Sequence, residues 1–230
     1  MPARNSVKQY VENGIYHIYN RGVDKRVIFL EEQDYLVFLH LLKILLSPPP
    51  KQPTHPLSDL TGFNPVRLRL LGKTLYGEVE LLSFCLMPNH FHLLLRQKTL
   101  TGVKELVHRL CTSYSMYLNK KYEREGHLFQ GIYKAVHVDS DIYLLHLSRY
   151  IHLNAYELTG MNLVTLVDYP YSSYQYHLGS KHAEWTNTQT ILNFFKSKHR
   201  LALKDYFSYQ SFVEDFKEDP KNIVGTLAID

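Results

Sequence analysis

The sequence predicts an α+β fold: one antiparallel sheet with helices packed mainly on one face, and a small helical tail at the C-terminal end. Three observations carry this expectation. Segments rich in β-branched and aromatic residues alternate with segments whose apolar residues recur at helical spacing. Two apolar runs, 76–86 and 90–97, are joined only by Met87-Pro88-Asn89, a turn short enough to demand an antiparallel hairpin. The 230-residue chain is 45% apolar and 21% charged, which supplies a proper core and excludes wholesale disorder.

The elements follow in order. Residues 14–21 (Gly-Ile-Tyr-His-Ile-Tyr-Asn-Arg) read as a strand closed by Gly22. Residues 31–46 place Tyr35, Phe38, Leu39, Leu42, Leu45 and Leu46 on one helical side, and Ser47-Pro48-Pro49-Pro50 stops that helix. Six of the ten prolines fall within 48–65, so this stretch is a loop or insertion; Arg67 and Arg69 alternating with Leu68 and Leu70 hint at a short strand after it. The hairpin comes next. A second helix spans 101–122, with Val103, Leu106, Leu110, Tyr114, Tyr117 and Leu118 on one side and Gly126 beyond its end. Residues 127–138 look like another strand, with Gly131 in its middle. Asp139 or Ser140 caps a third helix running to about Asn154. Loop and short helices fill 160–230, where Leu192, Phe194, Phe195, Tyr206 and Phe212 suggest a tail packed on the main domain. Strand–helix–hairpin–helix–strand–helix is the order of a ferredoxin-like arrangement.

Composition narrows the partners. The net charge is +4 with 13 histidines and 18 tyrosines, and the pI is near 8.8. This balance permits a polyanionic partner without demanding one, and tyrosines can stack on bases or simply fill a core. Cys85 and Cys111 sit in apolar patterns without metal or redox spacing, and read as reduced, buried thiols. No signal-like stretch opens the chain and no run approaches the roughly 18 apolar residues of a membrane span, so a cytoplasmic protein is expected.

The chemistry concentrates at His90-Phe91-His92, heading the second strand of the hairpin. Alternate strand residues share a face, so both imidazoles point one way and Phe91 the other. Two such rings can grip one divalent cation; two ordinary histidines fit the same pattern. A cation would need a further ligand. Tyr150 and Asn154 lie one turn apart on the third helix. Asn154 can offer an amide oxygen to a hard cation, and Tyr150 a phenol oxygen as nucleophile toward a phosphodiester. The plainer alternative is that both merely close the helix against the sheet.

In these residues the chain resembles the HUH endonucleases, and specifically the REP-associated branch of the single-tyrosine transposases. The resemblance rests on Cys85-Leu86-Met87-Pro88-Asn89-His90-Phe91-His92-Leu93-Leu94, then Gly126-His127-Leu128-Phe129-Gln130-Gly131 with Tyr133-Lys134. It continues through Asp139-Ser140-Asp141 with Tyr143-Leu144, Tyr150-Ile151-His152-Leu153-Asn154, and Tyr169-Pro170-Tyr171-Ser172-Ser173-Tyr174. An early segment, Tyr16-His17-Ile18-Tyr19-Asn20-Arg21-Gly22, fits as well. The resemblance implies an HUH transposase domain over 1–180, with the proline-rich insertion at 48–65, and a helical appendage over 181–230. It implies His90, His92 and Asn154 as metal ligands, Mg²⁺ or Mn²⁺ as cofactor, and Tyr150 as the nucleophile. It also implies hairpin-forming single-stranded DNA as the partner, cut to a 5′-phosphotyrosyl link and a free 3′-hydroxyl, by a monomer or homodimer. Ala155, Ile132 and Tyr171 stand where the family commonly has proline, arginine and tryptophan.

Other residues carry secondary expectations. Arg21, Lys120, Lys121, Arg124 and Lys134 could contact DNA phosphates, and Phe129 and Tyr133 could stack on bases. Tyr114 and Tyr117 fall on an apolar helix face, while Tyr122, among basic residues, suits a phosphate contact. His146 lies one turn before Tyr150 and could tune its phenol. Two rival readings remain: a domesticated hairpin-binding protein without catalysis, and a zinc-stabilised protein using His90, His92 and a cysteine.

Overall fold

Alternation along four strands builds a sheet buried on both faces. A computed structural model describes residues 8–49, 73–158, 163–196, 203 and 206–216. The strands are β1 (Ile15–Arg21), β2 (Val79–Met87), β3 (His90–Gln97) and β4 (Lys134–Val138), in the spatial order β2-β3-β1-β4. All neighbours are antiparallel, so β1 and β2 run parallel with β3 between them. With α1 (Glu32–Leu46) and α2 (Gly102–Lys121) as connections, this is the expected ferredoxin-like order, and the α+β class holds.

The helices divide between the two faces. Phe91, Leu93 and Leu95 of β3, with Tyr16 and Ile18 of β1 and Phe84 and Leu86 of β2, form one core with Phe38, Leu42, Leu106 and Leu110 of α1 and α2. On the other face, Leu82, Cys85, Met87, Leu94 and Val138 pack beneath α3 (Asp141–Leu158), through Leu144, Leu147 and Ile151. The C-terminal helices α4 (Leu163–Asp168), α5 (Tyr174–His177), α6 (Gln189–Lys196) and α7 (Tyr209–Glu214) follow. Ile191, Phe195, Tyr209 and Phe212 join the α3 core. The tail therefore completes a second hydrophobic layer.

Several boundaries differ from expectation for local reasons. The run 127–138 is a strand only from Lys134; Gly131 at φ +145° breaks it, leaving Phe129 in an isolated bridge to Gly22. Ser140 is the cap of α3, its Oγ accepting the Tyr143 N–H at 3.3 Å, and the helix runs past Asn154 to Leu158. The outer edge of β2 is covered: the Leu86 N–H donates to the Tyr171 carbonyl and the Ser173 N–H to the Phe84 carbonyl, each at 2.9 Å. Tyr171 stacks on Tyr35 at 3.8 Å, occupying the place where a tryptophan was expected. Pro48 and Pro49 follow α1 as predicted, while 50–65 and the Arg67–Leu70 segment lie outside the described residues. Among the described residues, no helix is long and apolar enough to cross a membrane.

One buried carboxylate ties α1 to α2. Asp34, 0% exposed, accepts the Leu30 N–H at 2.8 Å and closes a capping box with Glu31. It also accepts from Lys121 Nζ at 2.6 Å, Tyr117 at 2.8 Å and Tyr122 at 2.9 Å. Burial alone would raise its pKa, but the hydrogen bonds from Lys121, Tyr117, Tyr122 and the Leu30 amide together hold it below the ordinary carboxylate value. Its contribution to stability is therefore complete above the unfolded carboxylate pKa and is lost as pH falls through the lower folded value. Asp34→Ala is expected to cost about 3 kcal/mol in urea unfolding at neutral pH, because Lys121 and two phenols lose their acceptor. The deficit relative to wild type should shrink on acidification.

Candidate functional site

Period two along β3 sends Phe91 into the α1/α2 layer and turns His90 and His92 toward α3. His92 is 0% exposed and His90 half-buried. Their ring centroids lie 5.0 Å apart at 83°. Asn89 Oδ1 sits 2.6 Å from His90 Nδ1 and steers that ring. An adjacent turn residue thus orients one histidine.

The third helix meets this pair. Tyr150 is buried, and its ring stands edge-on to His92, centroids 5.6 Å apart and planes at 88°. Asn154, one turn on, donates its amide N–H to the Tyr150 carbonyl at 2.8 Å. Tying down the amide nitrogen leaves its oxygen to face away from the helix backbone, and Asn154 interacts with His92 so as to favour the charged imidazole. The two halves of the predicted site therefore converge within one chain.

The site contains a histidine that the sequence reading left without a role. His17 of β1 is 0% exposed, and its Nε2 lies 2.8 Å from His92 Nδ1. Tyr150 stands edge-on to His17 as well, at 6.3 Å, and Tyr19 tilts against it at 4.9 Å. Burial lowers the His17 pKa to about 3. Burial first, then the neighbouring charges of His90 and His17, holds His92 well below its usual value. Both rings are thus neutral at physiological pH, the form in which imidazole binds metals. The alternation Ile15-Tyr16-His17-Ile18-Tyr19 placed His17 on a strand face, but its partner depended on the pairing of β1 with β3.

The donor set fits a hard divalent cation. His92 Nε2 is a buried nitrogen with no hydrogen-bond partner, an atom that a metal would satisfy. His90, His92 and the Asn154 amide oxygen would hold the ion, leaving positions for phosphate oxygens. Among the described residues, no three His, Cys, Asp or Glu side chains are arranged to hold a metal. What weighs against the zinc reading is Cys85, whose thiol burial pushes up and whose Sγ lies against Met87 Sδ at 3.8 Å.

The expected DNA contacts separate. Arg21 lies opposite His90 in the β1–β3 register, and Lys134 of β4 lies opposite Tyr19, so both share the face of the histidines. Arg21 also donates to Gln130 Oε1 at 3.2 Å. Lys120, Lys121 and Arg124 sit at the end of α2, on the opposite layer, as does Tyr133, packed against that core with its hydroxyl 2.7 Å from that of Tyr10. Two expectations are corrected outright. Lys121 is committed to Asp34 and Glu31, at 2.6 Å each, and Tyr122 to Asp34. Phe129 is a core ring, edge-on to Phe91 at 5.8 Å, and not a stacking platform.

Two tyrosines of α2 and one histidine of α3 have structural partners. Tyr114 bonds the Ile28 carbonyl and Tyr117 bonds Asp34, as their apolar helix face suggested. His146 Nδ1 accepts from the Arg149 guanidinium at 2.6 Å. Ile132, in place of the expected arginine, is 69% exposed.

A solved structure described as a REP-associated tyrosine transposase bound to a REP hairpin is similar to this chain, with a TM-score of 0.48 and 12% identity over 80% of this chain and 91% of that one. No curated protein matches the chain. A family model described as "Transposase IS200 like" matches residues 72–154, from the approach to β2 through the last of the four converging residues. The matched stretch, residues 72–154, carries His90, His92, Tyr150 and Asn154.

Proposed function

We propose that this chain nicks and rejoins hairpin-forming single-stranded DNA through a covalent tyrosyl intermediate, with Mg²⁺ or Mn²⁺ as cofactor. The observation that supports this reading best is the meeting of Tyr150 with His92 across the α3–β3 contact. A cation bound by His90, His92 and Asn154 would neutralise charge developing on the phosphate oxygens. The Tyr150 phenol, losing its proton, attacks phosphorus; the P–O3′ bond breaks, and the leaving oxygen takes up a proton to give a free 3′-hydroxyl. The 5′-phosphotyrosyl bond keeps the phosphodiester's energy, so a 3′-hydroxyl can attack it and reseal the strand. Asn154 holds Tyr150's helix turn through its backbone bond and offers its oxygen to the same locus. The family match over 72–154 supports transposition chemistry, and the hairpin substrate follows from the resemblance of the sequence motifs.

Incubation of the protein with Mg²⁺ and a 3′-labelled single-stranded hairpin tests the reading, since the 3′ fragment is the one that stays on the tyrosine. A covalent protein–DNA band is expected with wild type, to be abolished by chelation and to fall to background in Tyr150→Phe. An undiminished band in Tyr150→Phe would overturn the assignment of the nucleophile. Hairpin binding without cleavage in either metal would instead favour the domesticated binding protein.

The division of basic residues has its own outcome. Arg21→Ala and Lys134→Ala should each weaken single-stranded DNA binding and lower the salt slope by roughly 0.7, the value for one phosphate contact. Phe129→Ala should leave that slope unchanged and cost about 3 kcal/mol of stability in denaturant titration, as loss of a core ring does.

A further inference from the structure

We infer that Tyr19 is a substrate-binding residue: its hydroxyl donates a hydrogen bond to a backbone phosphate of the single strand beside the histidine pair. The inference rests on the DNA reading proposed above and extends it to a ring of β1, outside the family match, which begins at residue 72.

Register puts Tyr19 in the middle of a row that crosses three strands. It lies opposite His92 on β3 and opposite Lys134 on β4, on the face of the sheet that carries the histidines. Neighbouring strands lie about 4.8 Å apart. A cation suited to phosphate therefore stands on one side of the ring, and a residue suited to a metal on the other. One step toward the hairpin turn, Arg21 faces His90. A single strand laid across this face meets Tyr19 between the groups that draw its phosphates.

The ring and its hydroxyl have different surroundings. The ring is packed: it tilts at 36° against His17, centroids 4.9 Å apart, and at 33° against His92, at 6.1 Å. The residue is half-buried, and its hydroxyl, unlike the enclosed one of Tyr143 on α3, reaches solvent. Among the described residues, no group bonds the Tyr19 hydroxyl. Core tyrosines elsewhere in the molecule are satisfied internally: Tyr114 by the Ile28 carbonyl, Tyr117 by Asp34, Tyr169 by the Leu86 carbonyl and Tyr209 by Ser148 and His152. Tyr19 departs from them by pairing a packed body with an open tip. Its stacked ring fixes the direction of the donor, so a bond made there costs little conformational entropy. Phosphate oxygens are the acceptors that the cations of this face bring to it.

The test is hairpin affinity by fluorescence anisotropy in EDTA, for wild type, Tyr19→Phe and Lys134→Ala. Tyr19→Phe keeps the packed ring and should bind about tenfold more weakly, with thermal unfolding unchanged. Its salt slope should match wild type, because a neutral donor releases no counterion, whereas Lys134→Ala lowers the slope. Methylphosphonate linkages, each removing one phosphate charge, are then placed in turn along the single strand flanking the hairpin. At one linkage the loss from the methylphosphonate and the loss from Tyr19→Phe should fail to add. A Tyr19→Phe affinity within about twofold of wild type overturns the inference, as do losses that add at every linkage. A lowered melting temperature in Tyr19→Phe would mark the hydroxyl as structural and overturn it too. Weakened binding by Tyr19→Phe, with no covalent adduct from wild type in Mg²⁺ or Mn²⁺, would support the Tyr19 contact while overturning the cleavage reading. A wild-type adduct beside undiminished Tyr19→Phe binding would overturn the role of Tyr19 alone.

Discussion

Burial of β3 on both faces is the constraint on which the rest of the molecule depends. Phe91 is completely buried against Phe38 and Phe129 in the α1/α2 layer, and His92 is completely buried beneath α3. A slip of one residue would exchange these faces, driving two imidazoles into an aromatic core and a phenyl ring into the polar site. The register is therefore held by hydrophobic packing on one side, and the chemistry on the other side inherits its precision. β1, paired along almost the whole length of β3, brings His17 to His92 by the same constraint.

The α3 layer mixes apolar packing with a closed set of buried polar groups. His152 bonds Ser173 at 2.7 Å and Tyr209 at 2.8 Å through its two nitrogens. His177 bonds the Ser173 carbonyl at 3.0 Å and lies 3.4 Å from Ser83 Oγ on β2. Arg149 is 1% exposed, with its guanidinium over the rings of Phe212 and Phe216 and a bond to the Phe212 carbonyl. These partners come from β2, α5, α7 and their flanks. They tie the side of α3 carrying Arg149 and His152, which fixes how the helix is rotated about its axis. Tyr150 and Asn154, on the adjoining stripe, are aimed at the histidines as a result. The C-terminal helices thus contribute to the site without touching it.

Basic and aromatic residues show how far pattern reading reaches. Lys121 and Tyr122 sit at a helix end among other cations, a setting that suits phosphate, yet Asp34 from α1 claims both. Phe129 precedes a glycine-broken stretch that looked like an accessible strand, and its ring lies in the core. In each case the deciding partner is remote in sequence, and exposure cannot be inferred from neighbours along the chain.

Local order alone established the strands, the long helices, the shared face of His90 and His92, and the one-turn spacing of Tyr150 and Asn154, because each follows from the period of a single element. The expectation of two histidines with an amide and a phenol was legible for that reason. Tertiary structure decided that α3 covers the histidine face while α1 and α2 cover the other, that Tyr150 reaches His92 within one chain, and that His17 completes the pair. Those outcomes depend on strand order, register and helix rotation, which are set by which surfaces must be buried together and leave no periodic mark in the sequence.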